Sequence, residues 1–119
     1  MDLYKEYILD HCQNPRNFGK IKDADSSVEL SNPLCGDKIK VCLKFEKDKV
    51  KKISFEGVGC VISLASASIL TESLKGRKKD EILSFQKDFV LKLLKIPLGP
   101  NRLKCALLPL EAIQKAIKK

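Results

Sequence analysis

With 119 residues, 44% of them hydrophobic, the chain has apolar side chain for one modest core and is expected to form a single domain over 1–119. A formal charge of +8 favours acidic partners, but five Phe, two Tyr and no Trp give few platforms on which bases could stack, so a protein partner is expected and nucleic acid is not. No run of eighteen uncharged apolar residues occurs, and the opening Met1-Asp2-Leu3-Tyr4-Lys5-Glu6 is unlike a secretory leader, so no membrane association and a cytoplasmic location are expected.

Leu3, Tyr4, Tyr7, Ile8 and His11 recur at helical spacing and predict a short amphipathic helix over 2–13, stopped by Asn14-Pro15-Arg16-Asn17-Phe18-Gly19. Val28 and Leu30 alternate with polar neighbours in a weak strand that ends near Asn32-Pro33. The clearest strand follows, with Ile39, Val41, Leu43 and Phe45 on one face and Lys38, Lys40, Cys42, Lys44 and Glu46 on the other, which puts Cys42 on the polar side. A turn at Lys47-Asp48 leads into a third strand through Ile53 and Phe55 toward Gly57 and Gly59, so the two read as an antiparallel hairpin.

After Cys60 the period changes. Val61 to Leu70 form a helix rich in small residues, closed by Gly76. A helical pattern over Asp80 to Leu94, with a break near Phe85, ends before Pro97 and Pro100. The last helix, Cys105 to Lys119, is expected either to begin close to Cys105 or to be kinked at Pro109, because an internal proline lacks the amide donor and collides with the carbonyl four residues back. The fold class expected is α+β, a small three-stranded antiparallel sheet with helices packed on one face.

Five cysteines, at 12, 35, 42, 60 and 105, are an odd number without the density of a secreted disulfide framework, so thiols available for metal or sulfur chemistry are expected. Side chains two apart in an extended chain share a side, so Cys35 and Asp37 continue the buried row of Ile39 and Val41, with Gly36 leaving the backbone free to turn. Cys60 follows Gly57-Val58-Gly59 and opens a helix, where unpaired amides and the helix dipole favour an anion. Cys105 has Arg102 and Lys104 beside it. Each residue alone reads equally well as packing, but together they stand at borders between elements, where three thiolates and a carboxylate could complete a tetrahedral site for zinc or iron. An oxygen ligand suits a soft cluster less well than a fourth thiolate would, so such a site is expected to release what it builds. His11, Cys12 and Cys42 are read as structural residues.

The segments Asn32-Pro33-Leu34-Cys35-Gly36-Asp37, Gly57-Val58-Gly59-Cys60-Val61-Ile62-Ser63 with Ala65-Ser66-Ala67-Ser68, and Arg102-Leu103-Lys104-Cys105-Ala106 resemble the three signature segments of the iron-sulfur cluster assembly family of the NifU N-terminal domain, IscU and SufU. Asp10-His11-Cys12-Gln13-Asn14-Pro15-Arg16-Asn17 resembles the family's start, and the resemblance covers essentially the whole chain. It implies a SufE/NifU-like fold and a scaffold, or sulfur carrier, that accepts sulfur from a cysteine desulfurase. Such a protein builds or relays a transient iron-sulfur cluster for recipient apo iron-sulfur proteins or carriers. It is at most a sulfurtransferase, working as a monomer or weak homo-oligomer. The resemblance places metal or cluster on Cys35, Asp37, Cys60 and Cys105, with Cys35 and Cys105 as candidate persulfide acceptors. The alternative it implies is a zinc-dependent sulfur acceptor that stimulates a desulfurase. Where IscU proteins carry a histidine before the last cysteine, this chain has Lys104, whose ammonium has no lone pair to offer, as in SufU. The short Cys60-to-Cys105 spacing is nearer the compact IscU arrangement.

Overall fold

Alternating apolar and polar side chains build the sheet. The computed structural model describes residues 3–33 and 36–119, with Leu3 and Tyr4 described by backbone alone. Among these residues β1 (Ser26–Asn32), β2 (Asp37–Glu46) and β3 (Lys49–Val58) form one antiparallel sheet in the order β1-β2-β3. The register places Val28, Val41 and Phe55 in one row and Leu43 beside Ile53 in another. Ile39, Val41, Leu43 and Phe55 are wholly buried on the inner face. Phe45 follows a register shift between Lys44 and Phe45 and is only half-buried.

The outer face departs from its expected polarity at one row. Cys42 is 6% exposed rather than solvated, flanked across the strands by Ser27 and Ser54, and Ser54 is buried too. The covering is the connection between the first helix and β1. It joins the free edge of β3 through the Phe55 N–H to Asn17 O and Gly19 N–H to Phe55 O bonds, and it reaches β1 where Asp25 N–H donates to Leu43 O. Asp23 meets Lys44 on the way at 3.1 Å, so this segment crosses the sheet's outer face over the Cys42 row. Strand alternation reports which side a residue takes, and not whether a loop covers that side.

The helices are α1 (Leu3–Gln13), α2 (Val61–Leu74), α3 (Lys79–Ser84), α4 (Lys87–Leu94) and α5 (Pro100–Lys118). Helices α2 and α5 lie against the inner face of the sheet and against each other, and α1 packs on α2. Small residues let α2 occupy the centre: Ala65, Ser66, Ala67 and Ser68 are all buried. Its hydroxyls then carry the polar connections to the neighbours. Ser66 donates to Ala106 O at 2.6 Å, Thr71 accepts from Asn17 Nδ2 at 3.1 Å, and Ser68 accepts the Arg16 N–H at 2.8 Å. The helical run after Asp80 breaks at Phe85, which is extended, and Arg77 lies over the stacked rings of Phe85 and Phe89.

The last helix corrects the expected boundary. It starts at Pro100, capped by Gly99, and runs through Pro109 to Lys118, so Cys105 sits in its second turn and not at its start. Pro100 opens this helix instead of only closing the preceding run, because at the first helical position the missing N–H costs nothing and the fixed φ is already helical. Pro109 is tolerated inside the helix, although it offers no N–H to the carbonyl of Cys105.

His11 is 7% exposed, and its Nδ1 lies 2.7 Å from Ser68 Oγ, with Tyr7 edge-on at 4.9 Å between ring centroids. Burial holds the imidazole below its ordinary pKa of 6.5, and Arg16 acts in the same direction while Asp10 and Glu72 oppose it. The unfolded chain therefore takes up this proton more readily than the folded one, and the stabilisation is present above about pH 6.5 and lost as pH falls below it. Urea unfolding midpoints are expected to drop between pH 7.5 and pH 5.5, and His11→Gln is expected to flatten that part of the profile. An unchanged slope in the variant would show that other groups govern it.

Candidate metal centre

Three chain segments deliver the site. Asp37 is the first residue of β2 and pairs with Asn32 across the β1–β2 connection. Gly36, at φ +74° with its N–H on Asn32 O at 2.9 Å, closes that connection in a left-handed conformation that a side chain would resist. Cys60 follows Gly59 in the two-residue junction between β3 and α2, where it acts as the N-cap of the helix. Cys105 is on the α5 face that packs toward α2, close to the Ser66–Ala106 bond that ties the two helices together.

One ligand atom from each of Asp37, Cys60 and Cys105 lies within 4.8 Å of the other two. Asp37 is 1% and Cys105 3% exposed, while Cys60 is half-buried. The buried carboxylate is not left unpaired: Asp37 Oδ1 accepts the Cys60 N–H at 2.9 Å, and Oδ2 stands 3.9 Å from Cys60 Sγ as the acceptor for its thiol. Cys60 Sγ accepts the Ser63 N–H at 3.4 Å, and the Ser63 hydroxyl donates to Cys60 O at 3.1 Å. Thus one amide of the helix start holds the carboxylate and another faces the sulfur, an environment arranged for negative charge.

A surface hollow of about 330 Å³ opens on the two cysteines and is lined by Cys60, Val61, Ile62, Asn101, Arg102 and Cys105. A second hollow of about 230 Å³ adjoins it, sharing Val61, Ile62 and Arg102 and adding Lys5, Ile8, Leu9 and Ile96. Leu9 and Val61 are 40% and 42% exposed. The sequence pointed to Arg102 as local charge beside Cys105, but neither its position at the mouth of both hollows nor the apolar one was legible. The available signal was Leu9 and Val61, large apolar residues at the edges of helical stripes.

Of the four residues named from the sequence, Asp37, Cys60 and Cys105 converge and Cys35 lies outside the described residues. Cys12 and Cys42 are not in the cluster; Cys12 packs half-buried against the core. His11 bonds to Ser68 and is likewise outside it.

Residues 3–119 match the family model described as the NifU-like N terminal domain. The chain belongs to that family. It is 37% identical to the zinc-dependent sulfurtransferase SufU of Bacillus subtilis (strain 168), over 98% of this chain and 90% of that protein. It is 36% identical to the iron-sulfur cluster assembly scaffold protein IscU 1 of Archaeoglobus fulgidus, over 97% of this chain and 74% of that protein. Among solved structures, a protein of Fervidobacterium islandicum AW-1, described as a candidate iron-sulfur cluster assembly scaffold for the SUF system, superposes with a TM-score of 0.81. That pair is 29% identical, with 94% of each chain covered.

The donor set fits a thiophilic divalent ion: two cysteine sulfurs and a carboxylate oxygen at mutual distances a tetrahedral ion can bridge after small side-chain adjustment. Cobalt(II) titration is expected to produce thiolate charge-transfer bands and tetrahedral ligand-field bands. Cys60→Ser or Cys105→Ser is expected to weaken binding by more than the roughly 10–100-fold typical of losing an outer-shell partner. Cys42→Ala is expected to leave the spectrum unchanged; a loss there would mean that the cluster has been misread.

Proposed function

We propose that this chain is, over 1–119, a single-domain scaffold on which a transient iron-sulfur cluster is assembled from sulfur supplied by a cysteine desulfurase, and that Cys35, Asp37, Cys60 and Cys105 hold it. The observation that carries this reading is the convergence of Asp37, Cys60 and Cys105 within 4.8 Å beside a solvent-open hollow. Family membership supports it, as does the name of the Archaeoglobus relative.

The chain's own groups define the steps. A thiolate of the scaffold attacks the terminal sulfur of the donor's persulfide, forming a new sulfur–sulfur bond as the donor's own bond breaks and its thiolate leaves, with no net oxidation. Cys105 is 3% exposed, which disfavours it as the first acceptor, and we assign that role to Cys35, which directly precedes Gly36 in the β1–β2 connection. Arg102 at the mouth and the exposed Lys38 and Lys104 nearby in sequence to Asp37 and Cys105 supply positive charge toward an arriving persulfide anion. Asp37 contributes a hard oxygen to an otherwise sulfur set, which favours handing the cluster to a recipient iron-sulfur protein over keeping it.

A second reading is a zinc-dependent sulfur acceptor. It is favoured by the 37% identity to SufU and by Lys104, which removes the histidine ligand available in IscU proteins. Zinc at this site would hold the thiolates in place without redox change.

Anaerobic incubation with a cysteine desulfurase, L-cysteine, ferrous iron and excess dithiothreitol, which supplies the two electrons that reduce each persulfide sulfur to sulfide, is expected to colour the protein through sulfide-to-iron charge transfer, with acid-labile sulfide in proportion to iron. Cys35→Ala is expected to abolish sulfur loading while the far-UV spectrum stays unchanged. Tightly held zinc, a colourless product and a faster desulfurase would instead establish the second reading.

A further inference from the structure

We propose that Gly59 is a positioning residue for Asp37: the space left by its missing side chain is the space the carboxylate fills. A Cβ built at Gly59 falls against Asp37 Oδ1 inside any contact that real Cβ atoms make, 2.9 Å from Asp37 Cγ and 2.7 Å from Ser63 Oγ. The same Oδ1 accepts the Cys60 N–H at 2.9 Å, and Asp37 is 1% exposed, so the carboxylate has little room to retreat. The inference rests on the reading of Asp37 as a ligand, and it adds how that ligand is presented.

Two consequences follow from this geometry. One oxygen is occupied by a main-chain amide, a charge-assisted bond that offsets the cost of burying the carboxylate. The other, Oδ2, is turned to the thiol side, 3.9 Å from Cys60 Sγ. Asp37 is therefore a one-oxygen ligand tethered beside the site, able to leave an ion or cluster without leaving the pocket. A residue with a side chain at position 59 would push the carboxylate off the Cys60 amide and out of this arrangement. Gly59 adopts φ +157°, so a substitution also carries backbone strain, and the test must separate strain from collision.

Gly59→Ala, Asp37→Ala and the double variant are compared by cobalt(II) and zinc affinity through chelator competition and by the cobalt visible spectrum. Gly59→Ala is expected to lose roughly 10–100-fold in affinity, as outer-shell changes do, and to shift its cobalt spectrum toward that of Asp37→Ala. In the Asp37→Ala background the glycine substitution is expected to cost no further affinity, because the carboxylate it collides with is gone and the Ser63 hydroxyl, the other close contact, is not one of the cluster's ligand atoms. Wild-type affinity and spectrum in Gly59→Ala would overturn the proposal, as would an equal loss in both backgrounds, which is the mark of backbone strain or of the Ser63 contact and not of the carboxylate. Should Gly59→Ala fail to fold, recovery of the fold in the double variant supports the collision, and failure of both overturns it. Asp37→Ala with wild-type metal affinity and spectrum would instead remove the ligand reading on which the proposal stands.

Discussion

The hydrogen bond from the Cys60 N–H to Asp37 Oδ1 joins the start of β2 to the junction between β3 and α2, and the arrangement of the site depends on it. A buried carboxylate without a donor is costly, and a helix start has amides without acceptors. Each solves the other's problem. Because β2 and β3 are already neighbours, with Lys38 opposite Val58, the sheet register brings Asp37 to the place where β3 gives way to the helix. The sheet therefore positions two of the donors, and the packing of α5 on α2 through Ser66 and Ala106 positions the third.

This construction leaves the donors on unequal terms. Cys105 is enclosed in a long helix, Asp37 is anchored on an amide, and Cys60 borders the open hollow. A site meant to keep an ion would gain by enclosing every donor with sulfur. On the function proposed above, an oxygen group, a solvent-open side and a neighbouring apolar hollow suit release of cargo over retention. The apolar surface of Leu9 and Val61, with Lys5 and Arg102 around it, adjoins the hollow that opens on Cys60 and Cys105.

Much of this was legible in the residues. Period-two alternation gave β2 and β3, the change of period after Cys60 gave α2, and the break at Phe85 separated α3 from α4. The start of α5 was misplaced because Pro100 reads equally as a terminator and as a first helical residue, and local pattern does not choose between them. Cys42 was on the expected side of β2, but its burial depends on a connection crossing from β3 to β1, a long-range event with no periodic signal. The three residues that converge were named in advance; the closeness of Gly59 to Asp37 was not, since a glycine before a helix reads as a turn until the carboxylate is seen in the space of its missing side chain.

The proposed site is mixed, with three sulfurs and one oxygen drawn from Cys35, Asp37, Cys60 and Cys105. X-ray absorption of the zinc-loaded protein counts those donors directly, with Zn–S near ~2.3 Å and Zn–O near ~2.0 Å. Three sulfurs and one oxygen are predicted, falling to two sulfurs in Cys35→Ala and losing the short oxygen shell in Asp37→Ala. A shell of nitrogen and oxygen alone, or a sulfur count that Cys35→Ala leaves unchanged, would contradict it.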